Sequence, residues 1–131
     1  MSKKLLRGVL VDVEKETVEI MEIVDELDEF YKILNCSCID ITKRSIGATS
    51  KKFNIVCDDE ALCKGEPKIS AVDYFGITQL CGNLFIVGGK IDDGNLTSLS
   101  ESEAEYVKKL VKKMPTRKFP NGYPILIQCD Y

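Results

Sequence analysis

Leu5-Leu6-Arg7-Gly8-Val9-Leu10-Val11-Asp12-Val13-Glu14-Lys15-Glu16-Thr17-Val18-Glu19-Ile20 is the stretch from which the fold class is read. Leu5, Val9, Val11 and Val13 fall on one side of an extended chain, and Leu6, Leu10 and Asp12 on the other. The polar run Glu14-Lys15-Glu16 then separates this segment from Thr17-Val18-Glu19-Ile20. A period of two, a short polar break and a second β-branched run predict a β-hairpin. From Asp25 to Leu34 the period changes: Leu27, Phe30, Tyr31 and Leu34 recur at three and four. That spacing predicts an amphipathic helix, and Asp25, Glu26, Asp28 and Glu29 crowd the end where the helix dipole favours negative charge.

Working outward, Cys36 to Ile46 and Phe53 to Cys57 read as two further strands, the first rich in Ile and Thr and ending at Gly47. Ala61 to Leu80, with Gly65, Pro67 and Gly76, has no sustained period and reads as loop, with at most a short turn of helix around Glu60 to Cys63. Leu80 to Val87 reads as one hydrophobic strand interrupted by Gly82, where a bulge or a close backbone approach is expected. Gly88-Gly89 and Asp92-Asp93-Gly94-Asn95 mark turns, the second leading to a strand at Leu96-Thr97-Ser98-Leu99. Ser100-Glu101-Ser102-Glu103 is a capping box that opens a second helix. The stripe Ala104, Val107, Leu110, Val111 and Met114 carries that helix to Pro115. Tyr123 to Cys129 is a last apolar strand. The order predicts an α+β fold with a mainly antiparallel sheet of about six or seven short strands and two amphipathic helices.

The chain has 131 residues, 30% charged and 44% hydrophobic, with a formal net charge of −3, six cysteines and no histidine. That length suits a single domain spanning 1–131. The missing histidine removes Ser-His and Cys-His nucleophile pairs and histidine metal ligands together, which favours binding over catalysis. No apolar run approaches the length of a membrane span, and the N-terminus lacks the apolar core of a signal peptide. A cytoplasmic protein with reduced thiols follows. Cys36-x-Cys38 and Cys57-x₅-Cys63 lack the paired C-x₂₋₄-C spacing of a structural zinc site, and on a strand Cys36 and Cys38 would share a face as small core residues. Asp58-Asp59-Glu60 and Asp92-Asp93-Gly94-Asn95 lack calcium-loop spacing. No metal and no cofactor are expected.

Charge is distributed unevenly. Asp12 to Glu29 carries nine acids against Lys15 alone, whereas Lys108 to Lys118 carries six bases and no acid. Lys43, Arg44, Lys51 and Lys52 make a second basic group around Gly47. Together the basic groups would focus positive potential on a phosphate-bearing ligand. The acidic overall balance argues against duplex nucleic acid.

Arg44-x-Ile46-Gly47, Phe53-Asn54-Ile55-Val56-Cys57-Asp58-Asp59-Glu60-Ala61-Leu62, Pro67-Lys68-Ile69-Ser70-Ala71 and, most specifically, Gly82-Asn83-Leu84-Phe85-Ile86-Val87 followed by Leu96-Thr97-Ser98-Leu99-Ser100-Glu101 carry a resemblance. The chain resembles a family of small domains of unknown function found in phages, prophages and conjugative elements of low-GC Gram-positive bacteria. The resemblance runs over about residues 5–112, leaving 115–131 as a C-terminal strand extension. It implies a mobile-element setting, in which small non-enzymatic proteins sequester a signalling nucleotide or occupy a host protein.

The expected function is therefore a non-catalytic, oligomeric binding protein that captures a small phosphorylated or nucleotide-like ligand. Arg44, Lys51, Lys52 and Lys68 would contact phosphates, Asn83 a base edge or ribose, and Tyr74 or Phe75 would stack on a base. The alternative is an inhibitor or adaptor that binds a host protein through the acidic Asp12 to Glu29 face.

Overall fold

Alternation along the first strand leaves both of its faces apolar, so the sheet it enters needs a cover on each side. In the computed structural model that sheet has the order β11-β3-β4-β7-β1-β2, with β8 paired to β7. The structure describes residues 5–13, 15–24, 26–34, 36, 38–47, 52–58, 69–72, 78–89, 96–114, 123–126 and 129–130. Its strands are β1 (Leu5–Asp12), β2 (Thr17–Val24), β3 (Ile39–Ile46), β4 (Lys52–Asp58), β5 (Ile69–Val72), β6 (Thr78–Cys81), β7 (Leu84–Gly89), β8 (Leu96–Thr97), β9 (Val111–Met114), β10 (Tyr123–Leu126) and β11 (Cys129–Asp130). Its helices are α1 (Leu27–Leu34) and α2 (Glu101–Lys109). The fold is α+β and mainly antiparallel, the parallel pair being β5 with β10. Neither helix is long and apolar enough to cross a membrane.

Leu6, Leu10, Val56, Phe85 and Val87 form one face of the large sheet and pack on Phe30 and Leu34 of α1. The Phe30 and Phe85 rings lie 6.3 Å apart at 51°, a tilted pair that adds about 0.5–1.5 kcal/mol to its burial. On the other face Val9, Val11, Ile46, Ile55, Leu84 and Ile86 meet Ala104 and Val107 of α2 and Ala71, Val72, Ile125 and Leu126 of a second sheet. That sheet has the order β6-β5-β10-β9. Strand β7 lies at the centre of the first sheet, and Leu84, Phe85, Ile86 and Val87 are all 0% exposed.

The described residues form eleven strands in two sheets, where six or seven were expected, for identifiable reasons. Leu80 to Val87 is two strands: β6 belongs to the second sheet and β7 to the first, and Gly82, with φ +80, makes the change of direction between them. Its left-handed conformation is one that a β-carbon disfavours. The final apolar segment likewise divides, β10 in the second sheet and β11 against β3. Strands β5 and β6 occupy part of the segment read as loop. Glu60 to Cys63 and Asp92 to Asn95 lie outside the described residues. Gly88 and Gly89 are not turn residues but pair with Thr97 and Leu96.

The second helix is shorter than its sequence stripe. Ser100 accepts from Glu103 N–H at 3.1 Å and Glu103 Oε1 accepts from Ser100 N–H at 3.0 Å, as the capping box requires. The helix ends at Lys109, however, and Val111 to Met114 pairs residue for residue with Leu126 to Tyr123. Sheet pairing against a buried strand outweighs helix propensity at these four residues. The first helix begins at Leu27 rather than Asp25. Cys36 N–H closes its end on Tyr31 O at 3.1 Å, so Cys36 and Cys38 precede β3 rather than share a face of it.

In the β1–β2 turn, Asp12 Oδ1 accepts from Lys15 N–H at 2.9 Å, and Glu16 takes φ 58. A β-carbon in this left-handed region costs about 1–2 kcal/mol, of which a glycine would return part through unfolded-state entropy. Glu16→Gly is expected to raise stability by about 0.5–1 kcal/mol, read as a higher urea midpoint at unchanged slope. An unchanged or lower midpoint would contradict the turn conformation.

Candidate interaction surface

The acid-rich block is only partly surface: Asp12 is buried at the turn, Glu14 and Asp25 lie outside the described residues, and the exposed carboxylates of β2 are divided between the two faces of the sheet edge. Strand β2 pairs with β1 over its whole length, from Leu5↔Val24 to Asp12↔Thr17, and forms the edge of the large sheet. Alternation divides its side chains: Glu19 shares the α1 side with Met21 and Ile23, and Glu22 shares the opposite side with Val18 and Ile20. Glu19 and Glu22 are exposed, as are Glu16 at one end of the strand and Glu26 and Asp28 where the chain enters α1. Arg7 Nη2 lies 3.4 Å from Glu22 Oε1, both side chains being solvated. An exposed pair of this kind contributes little to stability.

The residues expected to hold a phosphorylated ligand are less gathered. Lys51, Lys68, Tyr74 and Phe75 lie outside the described residues. Arg44 is 4% exposed and lies on the inner face of β3 with Ile46, its Nε donating to Thr42 Oγ1 at 3.0 Å. Lys52 is exposed and, by the register Ser45↔Lys52 and Arg44↔Phe53, points from the opposite face of the sheet. Lys43, not Arg44, is its diagonal neighbour on that face, beside Asn54, whose Nδ2 donates to Gly88 O at 3.3 Å. Asn83 is 4% exposed, and its Oδ1 accepts from Val13 N–H at 2.9 Å. The amide thus ties the start of β7 to the end of β1, a backbone-satisfying role.

Among the described residues Cys36, Cys38, Cys57 and Cys81 are not joined in disulfides. Burial pushes the Cys81 thiol up from its ordinary value, which makes it a poor nucleophile near neutral pH. Among the described residues no three Cys, Asp or Glu side chains gather closely enough to hold a metal ion. Ser70, fully buried where the β5–β6 register slips, carries a hydroxyl with no partner among the described residues.

Sequence reasoning missed the length of β2. The strand was expected to end at Ile20 and continues to Val24, bringing Met21, Glu22 and Ile23 onto the sheet edge. The signal was present, because no turn-forming residue stands between Ile20 and Val24 and Ile23-Val24 is β-branched.

Fold and surface together define a small α+β domain with a two-sheet core and one long, acid-lined edge strand. The chain belongs to the family described as domain of unknown function DUF3846, which residues 6–112 match. Strands β10 and β11 lie beyond the matched residues. No curated protein and no solved structure matches the chain.

Proposed function

We propose that the protein is a non-catalytic recognition module of a phage or other mobile element, working in the cytoplasm, that holds a host protein by its acidic side. The observation that carries this reading is the clustering of exposed carboxylates along β2 and the first turn of α1. Such a surface speeds encounter with a basic partner and selects against acidic ones. Capture of a phosphorylated ligand has less support, since Arg44 and Lys52 project from opposite faces and the Asn83 carbonyl is already engaged.

Affinity capture from host lysate with the wild-type chain and with Glu19→Lys/Glu22→Lys/Glu26→Lys/Asp28→Lys tests the reading. The substituted side chains are exposed, so the variant is expected to keep its circular dichroism spectrum and lose the captured protein. Equal capture by both chains would refute the acidic-face reading. In the same preparation, cyclic nucleotides and ADP-ribose derivatives are expected to leave the melting temperature unchanged. A ligand at a hundred times its Kd would stabilise by about 2.7 kcal/mol, and a rise of several degrees would transfer the function to small-ligand capture.

A further inference from the structure

We infer that the free edge of β2 is a strand-addition site for an extended segment of another protein carrying the pattern basic–apolar–apolar–basic. The inference rests on the acidic-face reading above and specifies how that face is engaged. Eight consecutive pairs join β2 to β1 without a register shift, and Thr17 to Val24 contains no proline and no glycine. In an antiparallel pair every second residue turns its N–H and C=O away from its partner, so these groups on β2 point outward from the sheet. Among the described residues the backbone bond that reaches β2 from outside β1 is Glu26 N–H to Val24 O at 2.8 Å, at the very end of the strand. Folded proteins usually blunt such an edge with a bulge, a proline, a short strand or charged side chains, above all lysine, and of these β2 has only the glutamates Glu19 and Glu22. The opposite edge of this sheet follows that rule, since β11 has two residues. Strand β2 instead keeps a regular edge four times as long.

The side chains specify the occupant. Glu19-Ile20-Met21-Glu22 lies in the middle of the strand, one carboxylate on each face and Ile20 and Met21 half-buried between them. An added antiparallel strand therefore meets a carboxylate, two apolar side chains and a second carboxylate in succession, and opposite charges across a strand pair are favourable. A second copy of this chain fits poorly. Thr17 to Val24 contains no lysine and no arginine, so β2 of a second copy offers no cation opposite Glu19 or Glu22 in any register. Backbone bonds would supply affinity and the two flanking cations the selectivity, the usual division in strand addition.

The probes are the acetylated, amidated hexapeptide Thr-Lys-Val-Val-Lys-Thr, its counterpart with both lysines replaced by glutamate, and two lysine peptides N-methylated on alternate residues, one for each edge. Titration at low ionic strength, followed by amide resonances and hydrogen exchange of the full chain, is expected to perturb and protect Thr17 to Val24 with the lysine peptide and not with the glutamate peptide. N-methylation on one edge removes two backbone bonds and is expected to weaken binding about tenfold, with the other edge tolerating it. Glu19→Lys/Glu22→Lys is expected to reverse the preference between the lysine and glutamate peptides. If both methylated peptides bind as tightly as the unmodified one, strand addition is overturned while the acidic-face reading stands. If the charge-reversed variant still prefers lysine, both fall. Self-association that protects Thr17 to Val24 without peptide would likewise overturn the inference in favour of a second copy.

Discussion

Truncation after Met114 is expected to abolish the cooperative unfolding transition. The removed segment contains β10, which stands between β5 and β9 in the second sheet, and β11, which pairs with the outer edge of β3. Ile125 and Leu126 are 4% and 0% exposed and belong to the core between the sheets. Their burial alone is worth about 1.5–3 kcal/mol each. Their loss also leaves Val111 to Met114 without the strand that holds them extended and separates β5 from β9. Against a total stability of about 5–15 kcal/mol, this is the difference between a folded and a largely unfolded chain. Thermal melts by circular dichroism should show a broad, non-cooperative change for the truncated chain. Ile125→Ala, which keeps the tail, should remain cooperative and lose about 2–5 kcal/mol. A truncated chain that melts cooperatively at the wild-type midpoint would show the tail to be an appendage.

The same tail marks the boundary of what the sequence made legible. The large sheet was readable because its signals are local: the alternation of Leu5 to Val13, the period of α1 and the capping box at Ser100 each lie within a few residues of the structure they specify. The second sheet was not readable, because its strands are short and their reason for being extended lies elsewhere in the chain. Val111 to Met114 continues a helical stripe and becomes a strand through pairing with Tyr123 to Leu126. Pro124 would be costly with strands on both sides, yet among the described residues β10 pairs with β5 at Leu126, and Pro124 has β9 on one side. Leu80 to Val87 looked continuous because hydropathy does not record the sheet to which each half belongs.

The candidate surface was legible as charge and not as geometry. Nine acids between Asp12 and Glu29 are visible in any reading of the chain, but the position of β2 at the sheet edge depends on the order in which the strands of the large sheet assemble. The basic group around Gly47 shows the converse. Lys43, Arg44 and Lys52 are close in sequence and in register, and the pleat sends Arg44 to one face and the two lysines to the other. Asn83 was expected to read a base edge or ribose; it follows Gly82 and binds the Val13 N–H instead, a partner too far along the chain for spacing to reveal.

Gly8→Ala is expected to destabilise the protein by about 1–3 kcal/mol, a large effect for one methyl group. Gly8 lies on the α1 side of β1, next to the segment where β7 crosses with Phe85 at its centre. A β-carbon at Gly8 would stand 2.6 Å from Ile86 O, 2.7 Å from Phe85 Cζ and 2.8 Å from Val87 Cγ1. The Phe85 ring is itself fully buried against Phe30, so it has little room to withdraw, and the carbonyl belongs to the central strand. In a close-packed interior the strain passes to the backbone. Two clashing side-chain atoms and one main-chain atom imply a particular double-mutant result. Phe85→Leu removes the ring and is expected to cost stability alone, yet in the Gly8→Ala background its cost should fall, because part of the overpacking is relieved. Rescue should be incomplete, since Ile86 O remains at 2.6 Å whatever residue stands at position 85. Urea denaturation of the four chains measures the coupling. Strict additivity would mean that the ring does not oppose the methyl group, and full rescue would mean that the carbonyl moves freely, which its place in the paired centre of the sheet argues against.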